Sequence, residues 1–153
     1  MTVKTILRNK GSEVISVRPQ LPLVEVARIL VQHRLGAVLV REAEEAAGPV
    51  LGILSERDIV RALAGDAGSV DGLVAADVMT RVVHTVAPET PITKALEMIT
   101  DRRVRHLPVY EGETLCGIVS IGDLVKARIE QAVGEAEALR DYVTAGSVSY
   151  THL

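Results

Sequence analysis

Two short stretches hold the residues whose types and spacing could do chemistry. Gly52-Ile53-Leu54-Ser55-Glu56-Arg57-Asp58-Ile59-Val60 and Gly117-Ile118-Val119-Ser120-Ile121-Gly122-Asp123-Leu124-Val125 share one pattern, Gly-Ile-aliphatic-Ser-x-x-Asp-aliphatic-Val, 65 residues apart. An apolar run leads into Ser and Asp, and a second apolar run comes after them, which predicts a buried strand ending at a helix N-terminus. A serine there sits beside free backbone N–H groups and the positive end of the helix dipole, which favours phosphate. An aspartate one turn on is acceptor-only with two oxygens, so it can take both hydrogens of a ribose diol. The same spacing describes a capping box, in which Ser accepts from the third helical N–H and the acid reaches back. The residues alone leave both roles open.

Arg102-Arg103-Val104-Arg105-His106 is the densest basic cluster of the chain. Arg102 and Arg103 finish a helix, where cations complement the dipole. Arg105 and His106 fall just before a buried strand, where a guanidinium is well shaped to meet phosphate oxygens. The matching place in the first repeat is Gly36-Ala37, without charge. The second signature is therefore the expected strong site, the first being weaker unless Arg57 or a residue of the other repeat supplies the cation. Thr80 is a further candidate contact. His33, His84, His106 and His152 lack the spacing of metal ligands, and neither Ser55 nor Ser120 has a histidine placed to act as its base. No metal site, no catalytic residue and no enzyme activity are expected.

The elements that position these residues also come in duplicate. Val14 to Val17 is a short strand stopped by Pro19, and Pro22 opens a helix with Leu23, Val26, Ala27 and Leu30 on its apolar face, ending near Gly36. Ala37 to Val40 is a strand, Arg41 to Gly48 a charged connection, Val50 to Leu54 a strand and Glu56 to Ala64 a helix. Gly65 to Gly72 reads as a linker, succeeded by a short helical segment to Met79. Then Val82 to Val86 forms a strand, Pro88 and Pro91 repeat Pro19 and Pro22 at an offset of 69, and Ile92, Ala95, Leu96 and Ile99 line the second helix. A loop four residues shorter turns that offset into the 65 of the signatures. A unit of about 60 residues buries too little surface to be comfortable alone, so two should pack about a pseudo-twofold.

Composition narrows the function. The 153 residues are 48% hydrophobic but contain no Phe, no Trp and three Tyr, which leaves few platforms for stacking bases. A formal charge of −3 gives no general attraction to nucleic acid or anionic lipid. Cys116, the single cysteine, lies in an apolar run and reads as a small buried hydrophobe. No apolar run approaches a membrane span, so a soluble cytoplasmic protein is expected. From Ala127 the last helix should continue with Ile129, Val133, Ala136, Leu139 or Arg140 and Val143 at three- and four-residue spacing, an amphipathic face that needs a partner. Val148 to Leu153 read as a translated sequencing-library adapter and are assigned no function.

The two Gly-Ile-x-Ser-x-x-Asp stretches, Val17-x-Pro19 and Val86-x-Pro88, and Arg105-His106-Leu107-Pro108-Val109 resemble a tandem pair of cystathionine-β-synthase (CBS) domains. Such a pair is called a Bateman module, and the resemblance, over residues 7 to 128, is to its small stand-alone bacterial form. It implies an α/β fold of the α+β kind. Two pseudo-twofold-related β-α-β-β-α units, 7–64 and 74–128, would pack sheet to sheet around a 65–73 linker. A C-terminal helix over 129–146 and a non-native or disordered tail over 147–153 would complete the chain. It implies a non-catalytic regulatory module binding adenine nucleotides (AMP, ADP, ATP, NAD-type) or S-adenosylmethionine between the units, with AMP or another adenosine nucleotide as regulatory ligand and no catalytic cofactor. Asp58 and Asp123 would hold ribose, Ser55 and Ser120 would face ribose or phosphate, and Arg105 with His106 would reach phosphate. Expected partners are a second copy in a homodimer and a regulated protein, with no nucleic acid and no membrane. The alternative is a dimerisation or interaction module without ligand, its signature Ser and Asp serving only as helix caps.

Overall fold

Proline starts the two central helices, and arginine ends them. The computed structural model describes residues 1–11, 14–42, 49–65, 70–81 and 84–150, with side chains through residue 144. Helix α2 (Leu23–His33) comes directly after Pro22, whose fixed φ suits the entry, and stops at Arg34 in the left-handed conformation with φ of 54°. Helix α5 (Ile92–Arg102) repeats this with Pro91 before it and Arg103, at φ of 53°, after it. The first stop lies two residues earlier than the glycine at 36 predicts, because the left-handed turn is taken by a residue that bears the steric cost of its Cβ.

The duplication extends to single hydrogen bonds. Strands β2 (Ala37–Arg41) and β3 (Val50–Ser55) pair antiparallel with Ala37 opposite Ser55. Strands β5 (His106–Glu111) and β6 (Thr114–Ser120) do the same with His106 opposite Ser120, and both pairs shift register at equivalent points. The Glu56 N–H donates to the Gly36 carbonyl at 3.0 Å, and the Ile121 N–H to the Arg105 carbonyl at 2.8 Å. These bonds fix where the signature helices α3 (Glu56–Ala64) and α6 (Ile121–Tyr150) begin.

Around these hairpins the two units differ. Strand β1 (Ser16–Val17) lies parallel to β2, whereas its second-unit counterpart is a single parallel bridge from Val86 to Val109. Of the predicted strand 82–86, residues 82 and 83 lie outside the described residues, and His84 and Thr85 are not in a strand. The residues just before it, Thr80–Arg81, form β4 and pair with β3 of the first unit. The sheets are thus β1-β2-β3-β4 and β5-β6.

Each repeat also lends its leading helix to the other. Helix α1 (Val3–Lys10), which the mixed charged and apolar residues of the N-terminus do not predict, buries Val3 and Ile6 in the second unit among Ile92, Ala95, Leu107 and Val119. Helix α4 (Ala75–Val78) buries Ala75 in the first unit among Leu23, Val26, Val38 and Leu54. The backbone bonds match: Val3 and Lys4 donate to Thr90 and Pro88, and Ala75 and Ala76 to Leu21 and Pro19. The helices differ in length. With Arg8 and Lys10 in a last turn that favours cations, α1 runs on to Lys10 and is capped by Gly11 at φ of 91°. Helix α4 stops after four residues and frees β4. No helix among the described residues is long and apolar enough to cross a membrane.

The seats of the borrowed helices are glycines. A Cβ at Gly52 would lie 2.7 Å from Met79 Sδ and 2.8 Å from the Thr80 carbonyl oxygen, whereas one at Gly117 would meet only the Leu7 side chain, at 2.7 Å. Gly52→Ala should cost about 1–3 kcal/mol, since backbone has to shift, and Gly117→Ala less. In α6 a Cβ at Gly134 meets nothing, and Gly134→Ala should stabilise by about 0.5–1 kcal/mol. Urea unfolding midpoints of the three variants check this order.

Candidate functional site

Both signatures are capping boxes, and the boxes leave one carboxylate oxygen over. In the first, the Asp58 N–H donates to Ser55 Oγ at 3.3 Å, and the Ser55 N–H donates to Asp58 Oδ2 at 2.9 Å. The Ser55 hydroxyl also donates to Oδ2, at 3.0 Å. Oδ1 is left to accept the Thr80 hydroxyl at 3.1 Å. In the second box, Asp123 and Ser120 make the same pair of bonds at 3.1 and 2.9 Å. Here Oδ2 also accepts from Lys10 Nζ at 2.7 Å, and the same ammonium donates to the Ile118 carbonyl at 3.1 Å. The carboxylates therefore accept from different donors: Asp58 from a neutral hydroxyl, with the Arg61 guanidinium further off at 3.8 Å, and Asp123 from an ammonium.

A cavity of about 320 Å³ opens at the first signature. Ile53, Ser55, Arg57, Asp58 and Arg61 line it from the first unit, and Thr80, Arg81, His84 and Arg103 to His106 from the second. Asp58 is a buried carboxylate in this wall, 7% exposed. Its distance to Arg61 is 3.8 Å. Among the described residues no carboxylate lies within ion-pair distance of Arg57, Arg81, Arg103 or Arg105. One buried acceptor and a ring of open guanidiniums suit a ligand with a diol at one end and phosphate at the other.

A sequence profile for the CBS domain matches residues 3–65 and again residues 74–130. The chain belongs to the CBS-domain family. Its fold is that of a solved CBS-domain-containing protein from Agrobacterium tumefaciens, with a TM-score of 0.75 and 41% identity over 84% of this chain and 99% of that one. The mitochondrial CBS domain-containing protein CBSX3 of Arabidopsis thaliana is 34% identical over 80% of this chain. This chain spans only 60% of that relative's length. The CBS domain pair of protein MJ0100, solved in complex with 5′-methylthioadenosine and S-adenosyl-L-methionine, has a TM-score of 0.69 at 23% identity over 83% of this chain and 98% of that one.

The CBS pair brings together six of the eight sequence-predicted site residues, namely Ser55, Arg57, Asp58, Thr80, Arg105 and His106, and leaves Ser120 and Asp123 outside the cavity. Sequence order places Arg105 and His106 beside Asp123, because they precede it in the same repeat. His106 stays opposite Ser120 in the β5–β6 pair, yet Arg105 and His106 also line the cavity at the other repeat's signature, and His106 comes close enough to Gly36 that a Cβ there would lie 3.6 Å from its Nε2. Arg61, Arg81, His84 and Arg103 line the cavity without being singled out by the sequence. Arg61 carries a signal, since it stands one helical turn after Asp58. Arg81 and His84 carry none, because β4 joins a sheet the sequence assigns to the other unit. Lys10 escapes sequence reasoning for the same reason as α1. The described residues contain no cluster of His, Cys, Asp or Glu able to hold a metal ion.

His106 lies between the two signatures, and its pKa is pushed below the ordinary 6.5. Burial is the largest cause, and Lys10 and Arg105 add to it against the pull of Asp123 and Asp58. For Asp123, burial alone would raise the pKa, but bonds from Lys10 and Ser120 outweigh it and hold the carboxyl below the ordinary 3.8. The signs give separate pH windows. The unfolded chain protonates His106 near 6.5 and the folded chain only at lower pH, so the neutral ring's contribution is complete above 6.5 and is lost as pH falls toward the folded value. The contribution of Asp123 is complete above 3.8 and is lost as pH falls through its lower folded value. Urea midpoints should thus drop between about pH 7 and pH 5, and His106→Gln should flatten that slope without changing the acid limb below about pH 4.

Proposed function

We propose that this CBS pair is a cytoplasmic, non-catalytic regulatory module that binds an adenine nucleotide at Asp58. The observation that carries the reading is the buried Asp58 carboxylate facing Arg57, Arg81, Arg103 and Arg105 across one cavity. Like charges that line one cavity repel one another, and a bound polyanion relieves that repulsion. Asp58 with Thr80 would hold the ribose diol, and the arginines with the α3 N-terminus would hold phosphate. The adenosine-derived ligands of the MJ0100 pair support the nucleoside part of the reading. Because residues of both units line the cavity, a ligand there favours one relative placement of the units, which a regulated protein can read.

Calorimetry and thermal shift with AMP, ADP, ATP, NAD and S-adenosylmethionine test the reading. A nucleotide at about 100 times its dissociation constant should stabilise the fold by about 2.7 kcal/mol. Asp58→Ala should abolish that gain, and Arg105→Ala should weaken AMP more than adenosine, which has no phosphate. No shift with any of the five compounds would leave the interaction-module reading standing.

We further infer that α6 pairs with a second copy. Val125, Ile129, Ala132, Ala136, Leu139 and Val143 alternate four- and three-residue spacings, the seam of a two-stranded coiled coil. Ile129, Leu139 and Val143 are exposed in the single chain. Glu135 and Arg140 flank the seam where parallel strands would set them against each other. Sedimentation should give a dimer, and Ile129→Glu with Leu139→Glu should give a folded monomer.

A further inference from the structure

We propose that Lys10 keeps the second signature shut, so that the chain holds nucleotide at Asp58 and reserves Asp123 for its own ammonium. This rests on the nucleotide reading of the Asp58 cavity and adds what its twin does. The leading helices exchange symmetrically: Val3 stands to the second unit as Ala75 stands to the first, and Leu7 seats on Gly117 as Met79 seats on Gly52. Beyond those seats the two segments diverge. After Met79 the chain is extended and presents the Thr80 hydroxyl to Asp58, a partner that a ribose hydroxyl can replace at little electrostatic cost. After Leu7 the chain stays helical, and its last residue sets Nζ 2.7 Å from Asp123 Oδ2 and 3.1 Å from the Ile118 carbonyl. A diol that takes both oxygens of Asp123 would have to displace the ammonium from Oδ2, where the Ser120 N–H also bonds. In the second repeat the residue that matches Lys10 is Val82, which carries no charge.

The experiment counts bound nucleotide by equilibrium dialysis with ATP and with AMP, on the full chain and on Lys10→Met, which keeps the length and helix preference of the side chain. The expected result is one nucleotide per chain in the wild type and two in Lys10→Met. The added one should be lost in Lys10→Met with Asp123→Ala, and should survive in Lys10→Met with Asp58→Ala. A ligand-free readout accompanies it: the Asp123 carboxyl carbon, monitored by NMR, should titrate at higher pH in Lys10→Met than in the wild type. If Lys10→Met still binds one nucleotide, the plug is refuted and the Asp58 reading stands. If the wild type binds none while Lys10→Met binds one that requires Asp123, the plug stands and the Asp58 reading falls. Two nucleotides in the wild type, or none in any variant, overturn the plug.

Discussion

The structure depends on an exchange of helices that neither unit can do without. Each half of the chain is too small to close its own core, and each leaves open an apolar face between its central helix and its hairpin. The helix that closes that face comes from the start of the other repeat, through Val3 and Ile6 in one direction and Ala75 in the other. The backbone bonds that seat these helices end on carbonyls next to or within the Pro19 and Pro88 turns, so the turns fix the entry points. A consequence is that the residues at the end of each borrowed helix or just after it arrive beside the other unit's signature. The site is assembled by the same crossing that completes the cores.

The two readings of the Ser-x-x-Asp stretch are compatible. The box consumes Ser55 Oγ, the Ser55 N–H and one oxygen of Asp58, and the other oxygen faces outward to Thr80. The cap holds the carboxylate in a fixed orientation, which is what a ligand-binding acceptor needs from its surroundings. In the second signature the same box is present, yet its acid is already paired. The local sequence is repeated; the donor that bonds to its acid is not.

Much of the fold was legible because duplication supplies an internal check. Two prolines at a constant offset, matched apolar faces and a nine-residue signature located the hairpins and central helices, and the structure repeats them to the level of single bonds. What was not legible involves segments whose partners lie far along the chain. Residues 3–10 have an apolar face of Val3, Ile6 and Leu7, but its meaning depends on a groove formed by residues such as Ile92, Leu107 and Val119, far along the chain. Thr80 and Arg81 look like the lead-in to a strand of their own unit, and only packing shows that they join β3. For the site, residue types were readable and pairings were not. The sequence offers Arg105 and His106 as a phosphate arm beside Asp123, and only the fold shows that they line the cavity at Asp58 as well.

Helix α6 begins at the second signature and runs for 30 residues. At about 1.5 Å per residue it reaches about 45 Å. Its first turn is pinned from the side by α1 through Lys10 and Asp123, and Ile129, Val133, Leu139 and Val143 along its remaining length are exposed in the single chain. Mechanically, the helix is a lever with a short clamped end. A tilt of about 10° at the clamp would carry the far end through about 8 Å. Any tilt at the clamped end is therefore multiplied along the length of the helix.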